Sequence, residues 1–160
     1  MIRIGMVALA FGLAACGSSG PATHFTATMK ASNEVGTTVN SSGTGTADYT
    51  VDGGTVTFTV NFSGLTSNAN MAHIHVGPPG VNGTVAVSFT QLVPHAPDGG
   101  FSGSFTAANV LTASIPDGGM GVDAGDFNGL LQLMRAGNTY TNVHTTAYTG
   151  GEIRGQNQPQ

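Results

Sequence analysis

The run Thr55-Val56-Thr57-Phe58-Thr59-Val60-Asn61-Phe62 constrains this chain more than any other stretch. Successive side chains of a strand point to opposite faces, so Val56, Phe58, Val60 and Phe62 share one face and the threonines with Asn61 share the other. One face is core and one is wet, the pattern of an antiparallel sheet covered on a single side. Asp52-Gly53-Gly54 precedes it as a hairpin turn, and residues 43–51 alternate before that turn around Ala47, Tyr49 and Val51. Further strand patterns span residues 25–31, the apolar run from Met71 to Gly77, residues 84–92 and 101–107, and two closing strands at 139–148 and 151–156. Helix formers are scarce: only 8% of residues are charged, while there are 25 glycines. That excludes an all-α fold. One helix is predicted, over residues 126–135, with Asp126 as cap, Phe127, Leu130, Leu131 and Met134 at helical spacing, and Gly137 as stop. Residues 108–123 resist assignment apart from a turn at Ile115-Pro116-Asp117-Gly118-Gly119.

The N-terminus reads differently. Met1-Ile2-Arg3 carries positive charge, residues 4–13 are apolar, and Leu13-Ala14-Ala15-Cys16 follows with Gly17-Ser18-Ser19-Gly20 behind it. This is an export signal too short to span a bilayer. Its ending resembles the lipobox of bacterial lipoproteins, which implies cleavage of residues 1–15, lipidation of Cys16, a flexible tether over 16–22 and one domain over 23–160. The resemblance also implies a protein exported and lipid-anchored in the cell envelope, with the membrane as a partner through the anchor and room for an envelope protein partner. Cys16 is the sole cysteine, so no intramolecular disulfide forms. The formal net charge is -4, and Arg3, Lys30, Arg135 and Arg154 are the only bases. Nucleic-acid binding is excluded for want of a basic surface.

Two histidines stand at His73 and His75, so both imidazoles project from one face of a strand while Ile74 and Val76 face the other way. Neutral imidazole suits copper, zinc, iron and nickel, and the pair with His144 forms a candidate metal set. The same residues are equally readable as a buried hydrogen-bond network that sets strand register. Tyr140 and Asn142 share a face with His144 and are candidates for orienting it; Glu152 and Arg154 share a face of the last strand and either pair or pin a neighbour. His95, between prolines, and His24, at the tether, read as solvated surface.

Ala72-His73-Ile74-His75, the Gly80-x-Asn82-Gly83 loop, Tyr140-Thr141-Asn142-Val143-His144-Thr145 and Gly150-Gly151-Glu152-Ile153-Arg154-Gly155-Gln156 together resemble the CHRD domain, the module first named from chordin. Asn33-Glu34-Val35 and Ala136-Gly137-Asn138 extend the resemblance, which runs from Phe25 to Gln156. Thr84 and Ala147-Tyr148-Thr149 depart from the family pattern in loops. The family's biochemical activity is largely undefined; in animals the domain sits beside modules that bind growth factors, which implies a binding role. A second likeness is to copper/zinc superoxide dismutases, in which an His-x-His strand, a later His and an Arg follow in that order. It implies copper on His73, His75 and His144, with His95 as a fourth candidate and Arg154 guiding an anion. The fold expected is an all-β, antiparallel Greek-key β-sandwich, immunoglobulin-like or superoxide dismutase-like. Hydrolase chemistry finds no Gly-x-Ser-x-Gly motif or phosphate-cradling loop. A binding module that coordinates copper or zinc, a copper-dependent dismutase-like enzyme and a purely structural envelope module remain as readings.

Overall fold

The computed structural model describes residues 20–160; the expected export signal, Cys16 and the start of the expected tether lie outside them. The elements are β1 (His24–Lys30), β2 (Thr44–Asp52), β3 (Thr55–Ser63), β4 (Ala69–Val76), β5 (Val85–Ser88), β6 (Gly99–Thr106), β7 (Ala113–Ser114), β8 (Gly121–Val122), α1 (Phe127–Arg135), β9 (Thr139–Thr145), β10 (Ile153–Gln156) and β11 (Gln158–Pro159). Single 3-10 turns cover Ala31–Asn33, Thr90–Leu92 and Ala107–Asn109. One antiparallel sheet runs in the order β5-β4-β9-β10-β1-β2-β3-β6, with β11 also pairing β1, and β7 and β8 form a small separate ribbon. No helix of the described residues is long and apolar enough to cross a membrane.

The sheet is strongly curled, and its two ends face each other across a shared core. The proof lies in Phe89, immediately after β5 at one end. Its ring sits 4.3 Å from Phe58 of β3 and 6.0 Å from Phe101 of β6, centroid to centroid. An all-β, sandwich-like fold with one short helix is therefore what the residues build, as the alternation in β3 required. Val56, Phe58, Val60 and Phe62 are all buried, and the intervening Thr57, Thr59 and Asn61 are exposed. The Asp52–Thr55 register closes a two-residue hairpin in which Gly53 takes φ +55, a conformation open to glycine at no steric cost.

The helix ends where expected. Asp126 Oδ1 accepts from the Gly129 amide at 2.8 Å. At the other end Gly137, at φ +68, sends the chain out while the Asn138 amide reaches back to the Leu133 carbonyl. One strand differs from expectation: residues 84–92 do not continue as a strand, because β5 stops at Ser88 and the Thr90–Leu92 turn follows. A bulge opposite β5, between Ile74 and His75, also puts both Ala86 and Val87 inside. Breaking the strand is what swings Phe89 into the aromatic cluster; a straight continuation would have carried it past the core. The expected strand over 139–148 likewise ends at Thr145.

Candidate metal centre

β9 lies between β4 and β10, and all seven of its residues are buried. The register sets His73 opposite Asn142 and Asn142 opposite Arg154, and in the next row His75 opposite Tyr140 and Tyr140 opposite Gln156. Because alternate residues share a face, His73, His75, Tyr140, Asn142, His144, Glu152 and Arg154 all project from the same side of these three strands. Ala72, Ile74, Val143 and Ile153 fill the opposite side as core. The polar side is not open to water, since the segment around Glu34, the Pro78–Gly83 loop and Thr149 bond to it from above.

Three imidazoles converge in this layer. His73, His75 and His144 each offer a ring nitrogen, and those atoms all lie within 4.8 Å of one another. Three nitrogens at 2.0–2.1 Å from one first-row ion in tetrahedral array stand about 3.3 Å apart, so small ring rotations close the set. His73 Nδ1 and His144 Nε2 are already at 3.0 Å.

Backbone carbonyls dictate which nitrogen of each ring carries the proton. A carbonyl only accepts, so His75 Nδ1–H donates to Gly83 O at 2.9 Å and His144 Nδ1–H donates to Thr149 O at 3.0 Å. Both rings then keep a lone pair on Nε2. His144 spends its lone pair on the His73 Nδ1–H, whereas His75 Nε2 is buried with no hydrogen-bond partner. His73 Nε2 lies 3.3 Å from Thr90 Oγ1. Holding a cation with the facing nitrogens requires only that the His73 proton move from Nδ1 to Nε2, where Thr90 Oγ1 stands to accept it. This wiring, with the far nitrogen bonded to a carbonyl or hydroxyl, is the usual support of a metal-bound histidine.

The rings are also neutral. Burial, reinforced by His144 and His75, pushes His73 down to about 4. Burial outweighs the Gly83 carbonyl and, with help from His144 and Arg154, takes His75 to about 4. Burial lowers His144 as well, against the pull of Thr149 O. Neutral imidazole is the form that binds a metal, so at ordinary pH protons do not compete with the ion for this site.

Tyr140 and Arg154 complete the layer differently from expectation. The Tyr140 ring stacks on His75 at 4.9 Å and 6°, and the Arg154 guanidinium carbon stands 3.4 Å over the Tyr140 centroid. Two planar groups at those distances cannot share one face, so Tyr140 is sandwiched between them, in keeping with β9 lying between β4 and β10. Arg154 donates to Asn82 Oδ1 and Val81 O, each at 2.8 Å, and so clamps the loop that carries Gly83. It does not pair with Glu152. That carboxylate, fully buried, accepts from Ser41 Oγ, Thr66 N, Thr66 Oγ1 and Thr145 Oγ1. Burial alone would raise its pKa, yet these four donors outweigh it and hold the group below the usual carboxylate range. Glu152 thereby braces Thr145, the neighbour of His144.

Of the residues singled out by sequence, His73, His75 and His144 come together, Tyr140 stacks on one of them, and Asn142 lies opposite His73. His95 is exposed in the loop after Val93 and is not in the cluster; His24 bonds Asp48 on the outer face at 2.8 Å. Gly83 and Thr149 are visible in the sequence only as loop residues and Thr90 only as part of a strand pattern; their part in setting the ring tautomers carries no local signal, because it depends on how the chain folds back 5 to 17 residues away. Glu34 was visible only as part of Asn33-Glu34-Val35; its Oε1 accepts from Asn142 Nδ2 at 2.9 Å.

The family model described as CHRD domain matches residues 25–157. The chain belongs to the CHRD-domain family. The match covers the main sheet apart from His24 of β1 and the short β11, so the histidine layer belongs to this CHRD domain itself and not to an appendage. Neither a curated protein nor a solved structure matches the chain.

Proposed function

We propose that this CHRD-domain protein is an exported, lipid-anchored binding module of the cell envelope that holds one copper or zinc ion on His73, His75 and His144. The observation that carries the metal reading is His75 Nε2, a buried lone pair with no partner, aimed into a space shared with two other imidazoles. A buried polar atom left unpaired costs about 1 to 3 kcal/mol, and a network evolved only to fix strand register would satisfy it. The Leu13-Ala14-Ala15-Cys16 ending supports the anchor and the export. Bound metal would crosslink β4 to β9 and supply Lewis acidity; the protein's part is to orient the rings, keep them neutral and exclude water.

Metal analysis of the purified protein after incubation with zinc or copper(II) and desalting tests this. About one equivalent per chain is expected, with loss in His75→Ala; no retained metal in a folded wild-type protein refutes it and leaves a purely structural module. A copper-dependent dismutase-like enzyme is not favoured, because Tyr140 stands between Arg154 and His75, where the dismutase analogy needs the guanidinium facing the ion. Copper bound without superoxide-dismutating activity removes that reading.

A further inference from the structure

Arg154 poses a question that the histidine layer does not answer. It is 2% exposed, and among the described residues no carboxylate oxygen comes within 4.0 Å of it. A guanidinium carries five N–H donors. The acceptors in contact with it are Asn82 Oδ1 and Val81 O, one bond each. A buried cation with no carboxylate in direct contact is costly; Glu34 acts on it only from beyond contact distance, and the face of Tyr140 offsets the cost only in part.

The same side chain lines a cavity of about 400 Å³ between the Asn33–Glu34 segment and the Pro79–Gly80 turn, floored by Arg154 and Gln156. None of the three imidazoles lines it. That volume falls within the range of small-ligand sites. Glu34 is its second ionisable group. Oε1 is taken by Asn142, and Oε2 has no protein hydrogen bond among the described residues.

We propose that this cavity binds a small carboxylate between the Arg154 guanidinium and the Glu34 carboxyl. The planar fork of arginine matches the two oxygens of a carboxylate, and such a ligand supplies the direct ion-pair partner that Arg154 lacks. Below pH 7 Glu34 does not repel the ligand: burial, working against Asn142 and Arg154, pushes it up to about 7, so it is mostly protonated there and its Oε2 donates to the anion. The other titratable groups facing this pair are Arg154 itself on β10, Tyr140 on β9 and His75 on β4. Burial holds Tyr140 above and His75 below their ordinary ranges, and Arg154, lowered by burial, stays charged. Between pH 6 and 8 Glu34 alone in this group changes charge. Protonated Glu34 falls about tenfold over that interval, and carboxylate affinity falls with it.

The experiment is a titration of the metal-free full chain, labelled with ¹⁵N, with sodium acetate against sodium chloride at constant ionic strength. The amides of Asn33, Glu34 and Gly80 and the Arg154 Nε–H are followed. Saturable shifts with acetate at pH 6, weakening about tenfold at pH 8, are expected. Glu34→Gln keeps a donor and removes the titration, so its acetate affinity becomes equal at the two pH values; Arg154→Lys weakens binding at both. Shifts no larger than those with chloride in both wild type and Glu34→Gln overturn the proposal. So does acetate affinity in the wild type that ignores pH, or inorganic phosphate binding tighter than acetate. No metal is present, so the result stands apart from the fate of the histidine reading.

Discussion

Acidification between pH 6.5 and 4.5 should destabilise this domain through its histidines, and the size of the effect follows from their burial. His73 and His75 titrate near 6.5 when unfolded and near 4 when folded. In that window the unfolded chain takes up protons that the fold refuses, so stability rises with pH and is lost as pH falls from 6.5 toward 4. Each shift of about 2.5 units is worth roughly 3 kcal/mol at full effect, and His144 adds in the same direction. Glu34 acts oppositely: its folded value, about 7, lies above its ordinary 4.5, so its protonation on folding strengthens the native state as pH falls from 7 to 4.5. The opposing carboxyl, with a shift as large as that of one histidine, and the partial exposure of His75 bring the net loss to about 3 kcal/mol, still a large share of a domain's usual stability. Urea unfolding at pH 7.5, 6.0 and 4.5 measures it, with Glu34→Gln to remove the opposing group. The variant should lose stability more steeply with acid than the wild type. A flat or rising stability below pH 6.5 in Glu34→Gln would refute the neutral, buried histidine layer.

Two further outcomes follow from the wiring around the rings. Thr90→Val removes the oxygen that receives the His73 Nε2 proton, and zinc affinity, measured by chelator competition, should fall about 10- to 100-fold with little change in the urea midpoint. Unchanged affinity would mean that His73 binds through another tautomer. Gly83→Ala places a methyl group against the Val76 carbonyl oxygen and 3.1 Å from Ser114 O, so the loop that orients His75 must shift. The cost expected is about 1 to 3 kcal/mol in urea unfolding, together with a changed ¹⁵N resonance for His75 Nδ1; wild-type stability would contradict the close approach.

Much of the architecture was legible because it rests on local periodicity. Period-two alternation exposed β3, the Gly53-Gly54 turn placed its hairpin, and the Asp126 cap and Gly137 stop bounded α1. Where a strand had to end for tertiary reasons, periodicity failed: Val85, Val87 and Phe89 alternate in sequence, yet β5 ends at Ser88 so that Phe89 can reach Phe58. The outer face of β9 is buried under loops whose own sequences carry no such signal. Glu152 and Arg154 share a face as read, but their partners lie on distant segments: Ser41, Thr66 and Thr145 for one, Val81, Asn82 and Tyr140 for the other.

By itself, the sequence determined that His73 and His75 lie on one side of a strand, because the pleat leaves alternate residues no other choice. It determined an all-β chain, because eight per cent charge and 25 glycines cannot support long helices. Only the tertiary structure decided that β9 runs beside β4, bringing His144 to that pair, and that β10 lies beyond it, putting Tyr140 between His75 and Arg154. Strand neighbours separated by about seventy residues are chosen by the total burial of the sheet, a property of the whole fold that no local pattern encodes.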